Sequence, residues 1–193
     1  LARPPRADVL RGLSRSTSVS LFTPRRRWTN QSSAVGIKTF QRGRYLEDFS
    51  VGDVYEHHWG RTITDGEAQI FATWTMDFCP LHFTREYARQ MGHPTTPVAP
   101  LLVLNVVFGM SVEDLSEKAI AHLGYWKVRF GAPVYPGDTL LSQSEVLGIK
   151  PSESKADRGV VHVRTRGHNQ RGELVLEYER KILVQRRPAK AES

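Results

Sequence analysis

The amino-acid sequence predicts a single α+β domain, in which one long buried helix is followed by an antiparallel sheet. An apolar run from Leu101 to Met110, interrupted only by Asn105, follows Pro100, which suits the first turn of a helix. From Tyr125 onward, strand-like segments follow one another, and residues 169–172 between the last two are typical of a hairpin connection. A helix before a run of strands favours the α+β class.

Two shorter helices are predicted ahead of the central one. Residues 64–67 have the Ser/Thr-x-x-Glu form of a capping box, so a helix should begin there and end before Pro80. A second helix should begin near Thr84 and end at Gly92. We expect the buried face of the first helix to contain Ala68, Ile70, Phe71 and Trp74.

The basic character of the chain is concentrated at its N-terminus. Residues 1–46 contain ten Lys or Arg against Asp8, whereas residues 47–193 have a net charge of −2. No basic patch is therefore expected on the folded part, and nucleic-acid binding is not predicted. We assign residues 1–44 to a basic disordered tail or targeting segment, 45–187 to the folded domain and 188–193 to a C-terminal tail.

The composition of the N-terminal tail leaves its role open. It is rich in Arg and Ser and poor in acids, as mitochondrial transit peptides are, but a disordered extension or sequence upstream of the true start fits equally. We expect a cytoplasmic protein, with the mitochondrial matrix as the alternative. No apolar run approaches the roughly 20 residues that span a bilayer, so no membrane partner is predicted.

Residues 71–88, FATWTMDFCPLHFTREYA, contain the candidate chemistry. Asp77 and His82 lie five positions apart around Pro80, so a turn can direct both side chains into one pocket. A carboxylate beside an imidazole can move a proton and activate water near neutral pH. The spacing alone is also compatible with a local turn contact.

This segment resembles the signature of MaoC-like (R)-specific enoyl-CoA hydratases. Phe71, Asp77, Pro80, Leu81, His82 and Ala88 stand at the motif positions, whereas Met76 and Cys79 replace the family's usual Gly and Asn. Residues 112–140 and 158–184 are also similar to that superfamily, especially to its mesaconyl-CoA and itaconyl-CoA hydratase branch. The resemblance covers roughly residues 45–186.

The resemblance implies a hotdog fold, an antiparallel sheet wrapped around a long central helix, that works as a homodimer or dimer of dimers. It implies an acyl-CoA substrate and no cofactor, with Asp77 and His82 as the catalytic pair. Relatives supply a backbone N–H to the thioester oxygen at the start of the central helix, where this chain has Ala99 and Pro100. Because proline has no N–H, the donor is expected to be displaced, for example to the amide of Leu101 or Leu102.

Several other residues are candidates for binding. Pro80, Ala99, Pro100, Leu101 and Asn105 are expected to line the substrate site, and Asn105 needs a buried partner if the central helix is enclosed. Arg85 and Arg129, with Arg61, are candidates for a substrate carboxylate or a CoA phosphate. No metal site is predicted: His57 and His58 have no evident third ligand, and Cys79 is interpreted as packing or pocket lining.

Three functions stay open on these grounds. The first is reversible hydration of an enoyl-CoA, with a short, branched or dicarboxylic acyl group. The second is a hotdog thioesterase, against which the Asp-x-x-x-x-His motif argues. The third is a catalytically weak acyl-CoA-binding subunit, which the Ala99–Pro100 pair favours.

Overall fold

A computed structural model describes residues 42–188 of the chain. Two short strands, β1 (Val54–Glu56) and β2 (Arg61–Thr62), are followed by the helices α1 (Asp65–Trp74), α2 (Pro80–Phe83), α3 (Arg85–Gln90) and α4 (Pro100–Met110). After a π-helical turn at Val112–Ser116 come four long strands, β3 (Ala119–Phe130), β4 (Thr139–Pro151), β5 (Arg158–Asn169) and β6 (Leu174–Gln185). Of the predicted tails, 1–44 and 188–193, residues 1–41 and 189–193 lie outside the described residues.

The strands form one antiparallel sheet in the order β1-β4-β5-β6-β3, with β2 also paired to β4. Residues 170–173 connect β5 to β6, as the hairpin signal predicts. Strand β3 forms one edge of the sheet and is irregular, with three register shifts against β6 and positive φ angles at Gly124 and Lys127. The α+β prediction is therefore confirmed.

Helix α4 packs against the sheet and forms the centre of the core. Val103, Val106 and Val107 are buried against residues of the sheet. Gly167 of β5 permits this close approach, because a Cβ added there would lie 2.6 Å from a methyl group of Val107. The buried members of this cluster are Ile63, Ala68, Val98, Leu102, Val103, Val106, Val107, Val134, Leu140, Val175, Leu176 and Tyr178.

Two packing predictions are wrong. In α1 the buried residues are Ala68 and Ala72, whereas Ile70 is half exposed and the Trp74 side chain is 83% exposed. In α4 the side chains of Leu101 and Asn105 are exposed, so the helix is not enclosed on all faces. Both helices therefore carry apolar side chains that the other described residues leave exposed.

No helix among residues 42–188 is both long and apolar enough to cross a membrane.

One charged side chain lies deep in the core. Arg180 interrupts the apolar pattern of β6, yet its side chain shares the buried parity of Tyr178 and Ile182 and is fully buried.

Candidate active site

Helices α1 and α3 end in the same way, and each ending fixes a polar residue. The N–H of Asp77 donates to the carbonyl of Ala72 at 2.9 Å, and the N–H of His93 donates to that of Ala88 at 2.9 Å. Each is the long hydrogen bond of a Schellman motif, in which the residue before the donor adopts the left-handed conformation. Glycine fills that position after α3, at Gly92, but Met76, with a φ of 57°, fills it after α1.

His82 is held in a defined orientation by the loop that precedes α4. Its Nδ1 lies 2.8 Å from the carbonyl oxygen of Pro97. A carbonyl can only accept, so Nδ1–H is the donor, and in the neutral ring Nε2 carries a lone pair. Within residues 42–188, Nε2 has no hydrogen-bond partner. His82 is therefore arranged to accept a proton through Nε2.

His82 lines an apolar cavity of about 280 Å³ beside the N-terminus of α4. Its walls come from α2, the loop before α4, the first turn of α4, the end of β3 with the segment after it, and the start of β6. The lining residues are Leu81, His82, His93, Pro97, Val98, Pro100, Val103, Phe130, Gly131, Ala132, Pro133, Val134 and Val175.

Asp77 lies apart from this lining. Its side chain is half-buried in the loop between α1 and α2 and is not among the residues that line the cavity. Within the described part of the chain, no hydrogen bond joins the Asp77 carboxylate to His82. The structure thus brings His82 to the cavity, and the pairing of Asp77 with His82 stays a prediction.

The predicted binding residues divide into two groups. Pro100 lines the cavity, and buried Ala99 caps α4 with its carbonyl, which accepts from the N–H groups of Leu102 and Val103. Pro80 begins α2 but does not line the cavity, and neither does the exposed Leu101. Asn105 is exposed and its side chain donates to the Leu101 carbonyl at 2.7 Å. The prediction that Asn105 needs a buried partner is therefore wrong.

None of the three predicted arginines lines the cavity. Arg85 forms an exposed ion pair with Asp65 at 3.1 Å, and Arg61 pairs with Glu67 at 2.9 Å. Arg129 is exposed on β3. Their proposed roles toward a carboxylate or phosphate remain predictions. In residues 42–188, no cluster of three or more His, Cys, Asp or Glu residues could hold a metal ion.

The sequence analysis missed His93, the second imidazole in the cavity. Its Nδ1 lies 2.9 Å from the Tyr135 hydroxyl, and the two rings pack edge to face at 6.1 Å. Asp138 fixes Tyr135 by accepting its backbone N–H at 2.9 Å. The signal that could have found His93 is its place directly after a helix-ending glycine, where the backbone is fixed.

Electrostatic effects keep Tyr135 and Asp138 in defined protonation states. Burial raises the pKa of Tyr135, and the nearby Asp138 carboxylate raises it further, so the phenol stays protonated near pH 7. Burial also raises the pKa of Asp138, but hydrogen bonds from Tyr135, Gln170 and Arg171 outweigh this effect and lower it overall. An ionised Asp138 thus holds a neutral Tyr135, and Tyr135 in turn contacts His93 in the cavity lining.

The architecture is shared with solved structures. A Mycobacterium tuberculosis protein with a double hotdog fold matches at a TM-score of 0.70 and 26% identity, covering 78% of this chain and 47% of that chain. A MaoC domain protein from Chloroflexus aurantiacus J-10-fl matches at a TM-score of 0.74 and 40% identity, over 78% of this chain and 43% of that one. The domain therefore has a hotdog fold, as the resemblance implied.

The family follows from the sequence comparisons. A family model described as mesaconyl-CoA hydratase matches residues 28–193, and the chain belongs to that family. Mesaconyl-CoA hydratase from Cereibacter sphaeroides is 42% identical over 149 residues, which are 77% of this chain and 43% of the relative. The chain thus spans less than half the length of the curated relative.

Proposed function

We propose that this chain catalyses the reversible hydration of an enoyl-CoA thioester, as a hydro-lyase. The observation that carries the proposal is the tautomer of His82, whose Nδ1–H is committed to Pro97 and whose Nε2 is available as a base beside an apolar cavity. Membership of the mesaconyl-CoA hydratase family and the relative's name support this reaction.

In the proposed hydration, a water oxygen attacks C3 of the enoyl group and loses a proton to His82 Nε2. The Asp77–His82 pair then delivers this proton to C2, so that water is added across the double bond and the pair is restored. Negative charge develops transiently on the thioester oxygen. Asp77 and His82 act on this water as a pair. This requires the Asp77 carboxylate to approach the water from the loop after α1.

The acyl group is proposed to be short, and branched or dicarboxylic. A cavity of about 280 Å³ lies just below the usual size range of small-molecule pockets, and its lining is mainly apolar. The relative from Cereibacter sphaeroides acts, by its name, on mesaconyl-CoA. We expect mesaconyl-CoA to exceed crotonyl-CoA in kcat/KM by about tenfold or more.

The test follows crotonyl-CoA and mesaconyl-CoA through two signals, loss of the conjugated enoyl absorbance and release of free thiol. We expect enoyl loss without thiol release, and a decrease of about 10²- to 10⁴-fold in kcat for His82→Ala. Asp77→Asn should also lose activity. The matched controls are His58→Ala and Glu86→Gln, both of exposed residues, which should keep it.

Two results would replace the proposal with one of the alternatives. Thiol release with the enoyl band intact would identify a thioesterase. Tight binding of crotonyl-CoA without turnover, unchanged by the His82 substitution, would identify an acyl-CoA-binding subunit, which the missing N–H of Pro100 favours.

We propose further that a second copy of the chain docks on edge strand β3. Leu123, Tyr125, Val128 and Phe130 of β3 are each at least 38% exposed, and the uncovered face of α4 contains Leu101. Among the described residues, the outer edge of β3 is unpaired, which favours pairing with another strand. A relative of the same architecture has two hotdog units in one chain more than twice as long as the matched part.

Light scattering should give a mass of twice 21.9 kDa or a multiple of it. Leu123→Lys should shift the protein toward the monomer, whereas Val51→Lys, an exposed residue away from β3, should not. A monomer at all concentrations would contradict this part of the proposal. So would a dimer that Leu123→Lys leaves intact.

A further inference from the structure

The cavity beside His82 has few hydrogen-bond donors in its walls. Pro97, Pro100 and Pro133 have no N–H. Four further backbone donors of the lining are already used: the N–H groups of Val98, Val103, Gly131 and Ala132 donate to carbonyls at 2.8–3.3 Å. A carbonyl oxygen placed in the cavity cannot obtain a hydrogen bond from these groups.

The start of α4 does not supply the missing donor either. The N–H of Leu102 donates to the carbonyl of Ala99 at 2.9 Å, so the sequence-based expectation that it is available is wrong. Leu101 does not line the cavity. Among the side chains of the lining, only the imidazoles of His82 and His93 can direct an N–H group into the cavity.

The two imidazoles differ in the hydrogen-bond partner of Nδ1. His82 faces a carbonyl through Nδ1, which forces the proton onto Nδ1 and leaves Nε2 as an acceptor. His93 faces the Tyr135 hydroxyl, which, unlike a carbonyl, can donate. When Tyr135 donates to Nδ1 of His93, the neutral ring keeps its proton on Nε2. One cavity then contains an imidazole acceptor and an imidazole donor.

Tyr135 is well placed to impose this tautomer. Its backbone N–H donates to the Asp138 carboxylate, and Asp138 is held in turn by Gln170 at 2.7 Å and Arg171 at 3.0 Å. His93 is fixed from the other side by the Schellman motif after α3.

We propose that His93 donates its Nε2–H to the thioester carbonyl oxygen, replacing the backbone donor that Pro100 removes, and that Tyr135 is the positioning residue that fixes the donating tautomer. This inference rests on the proposed hydratase function. The half-buried donor stabilises the negative charge that develops on the thioester oxygen, and the mainly apolar lining of the cavity strengthens this interaction.

Kinetics of substituted full-length chains test the donor. His93→Phe keeps the packing on Tyr135 but removes the N–H, and should lower kcat by about 10²- to 10³-fold with a small change in KM. His93→Gln keeps a neutral N–H donor and should recover at least tenfold of that loss. His58→Phe, the matched exposed histidine, should match the parent protein.

A spectroscopic measurement tests the same donor without turnover. Butyryl-CoA labelled with ¹³C at the thioester carbonyl cannot be hydrated, and its carbonyl resonance should move downfield on binding to the parent chain. The shift should be lost in His93→Phe and kept in His82→Ala. ¹⁵N spectra of the histidine rings should show the proton on Nδ1 in His82 and on Nε2 in His93. In Tyr135→Phe, His93 should become a tautomer mixture.

The outcomes separate this inference from the proposed function. If His82→Ala abolishes hydration while His93→Phe stays within threefold of the parent, the hydratase stands and the donor role of His93 is wrong. A proton on Nδ1 of His93 in the parent chain would also overturn it. If the parent shows no hydration, the proposed function fails, and the carbonyl shift alone decides whether His93 contacts the thioester.

Discussion

His57 and Asp114 form the shortest link of a buried polar chain, with His57 Nδ1 2.7 Å from Asp114 Oδ2. On the other side of the ring, Nε2 lies 2.9 Å from the Ser144 hydroxyl, which in turn lies 2.8 Å from that of Thr165. Burial lowers the pKa of His57, and this outweighs the opposite effect of Asp114. A neutral His57 therefore joins the π-helical turn after α4 to strands β4 and β5.

We expect His57→Phe to lower the free energy of unfolding by about 2 kcal/mol at pH 7.5, because it leaves buried partners of the ring unsatisfied. The unfolded imidazole takes up a proton near pH 6.5, above the lowered folded pKa. The stabilisation is therefore complete above pH 6.5 and decreases as the pH falls below it. Urea unfolding at pH 7.5 and 5.5 should show a smaller difference between the two proteins at pH 5.5. A constant difference, or an equal loss in His58→Phe, would contradict this.

Arg180 should be replaceable by a nonpolar side chain. Its guanidinium is fully buried, donates to Ser111 Oγ at 2.9 Å and stacks on Phe108, and Nε and Nη1 have no partner among the described residues. Burial lowers its pKa, because removal from water disfavours the charged form. We expect Arg180→Met to change the free energy of unfolding by less than about 1 kcal/mol or to raise it. Arg180→Ala, which leaves a cavity, should cost about 3 kcal/mol. Equal losses in urea unfolding would show that the charge itself is needed.

Met76→Gly should stabilise the protein by about 0.5–1 kcal/mol. Met76 adopts a φ of 57°, a conformation that costs a side-chain-bearing residue about 1 kcal/mol, and its side chain is 73% exposed, so little packing is lost. Met91→Gly is the matched control. Met91 is also exposed and ends a helix, but with a φ of −83°, so glycine there should be destabilising. Thermal unfolding that moves both variants in the same direction would count against the argument.

Gly131 and Gly109 should respond to alanine in opposite directions. A Cβ on Gly131 would lie 2.2 Å from the Leu174 carbonyl oxygen, in the wall of the cavity, so Gly131→Ala should lose about 2 kcal/mol or more. A Cβ on Gly109 meets nothing within 4 Å, and alanine in a helix should gain about 0.5–1 kcal/mol. Urea unfolding measures both. A neutral Gly131→Ala would mean that the segment after β3 can move away from β6.

The sequence predicts the order of elements well because local signals determine it. The capping box at Thr64, the proline at the start of α4 and the turn before β6 each act within a few residues. The cavity was predicted only in part. His82 belongs to a local motif and Pro100 marks a helix start, but His93 and Tyr135 are 42 positions apart, and only the folded chain brings them together. Exposure of Leu101 and Trp74 could not be predicted either, because an apolar side chain indicates a surface suited to burial but not whether a partner covers it.

The irregularity of β3 has a consequence for how this strand can meet others. Gly124 and the left-handed Lys127 interrupt its backbone twice, so an incoming strand finds only short regular stretches on either side. Continuous edge-to-edge pairing, by which sheets aggregate, is therefore disfavoured. The exposed apolar side chains of β3 suit the proposed docking of one partner, whereas its irregular backbone disfavours continuous pairing with many.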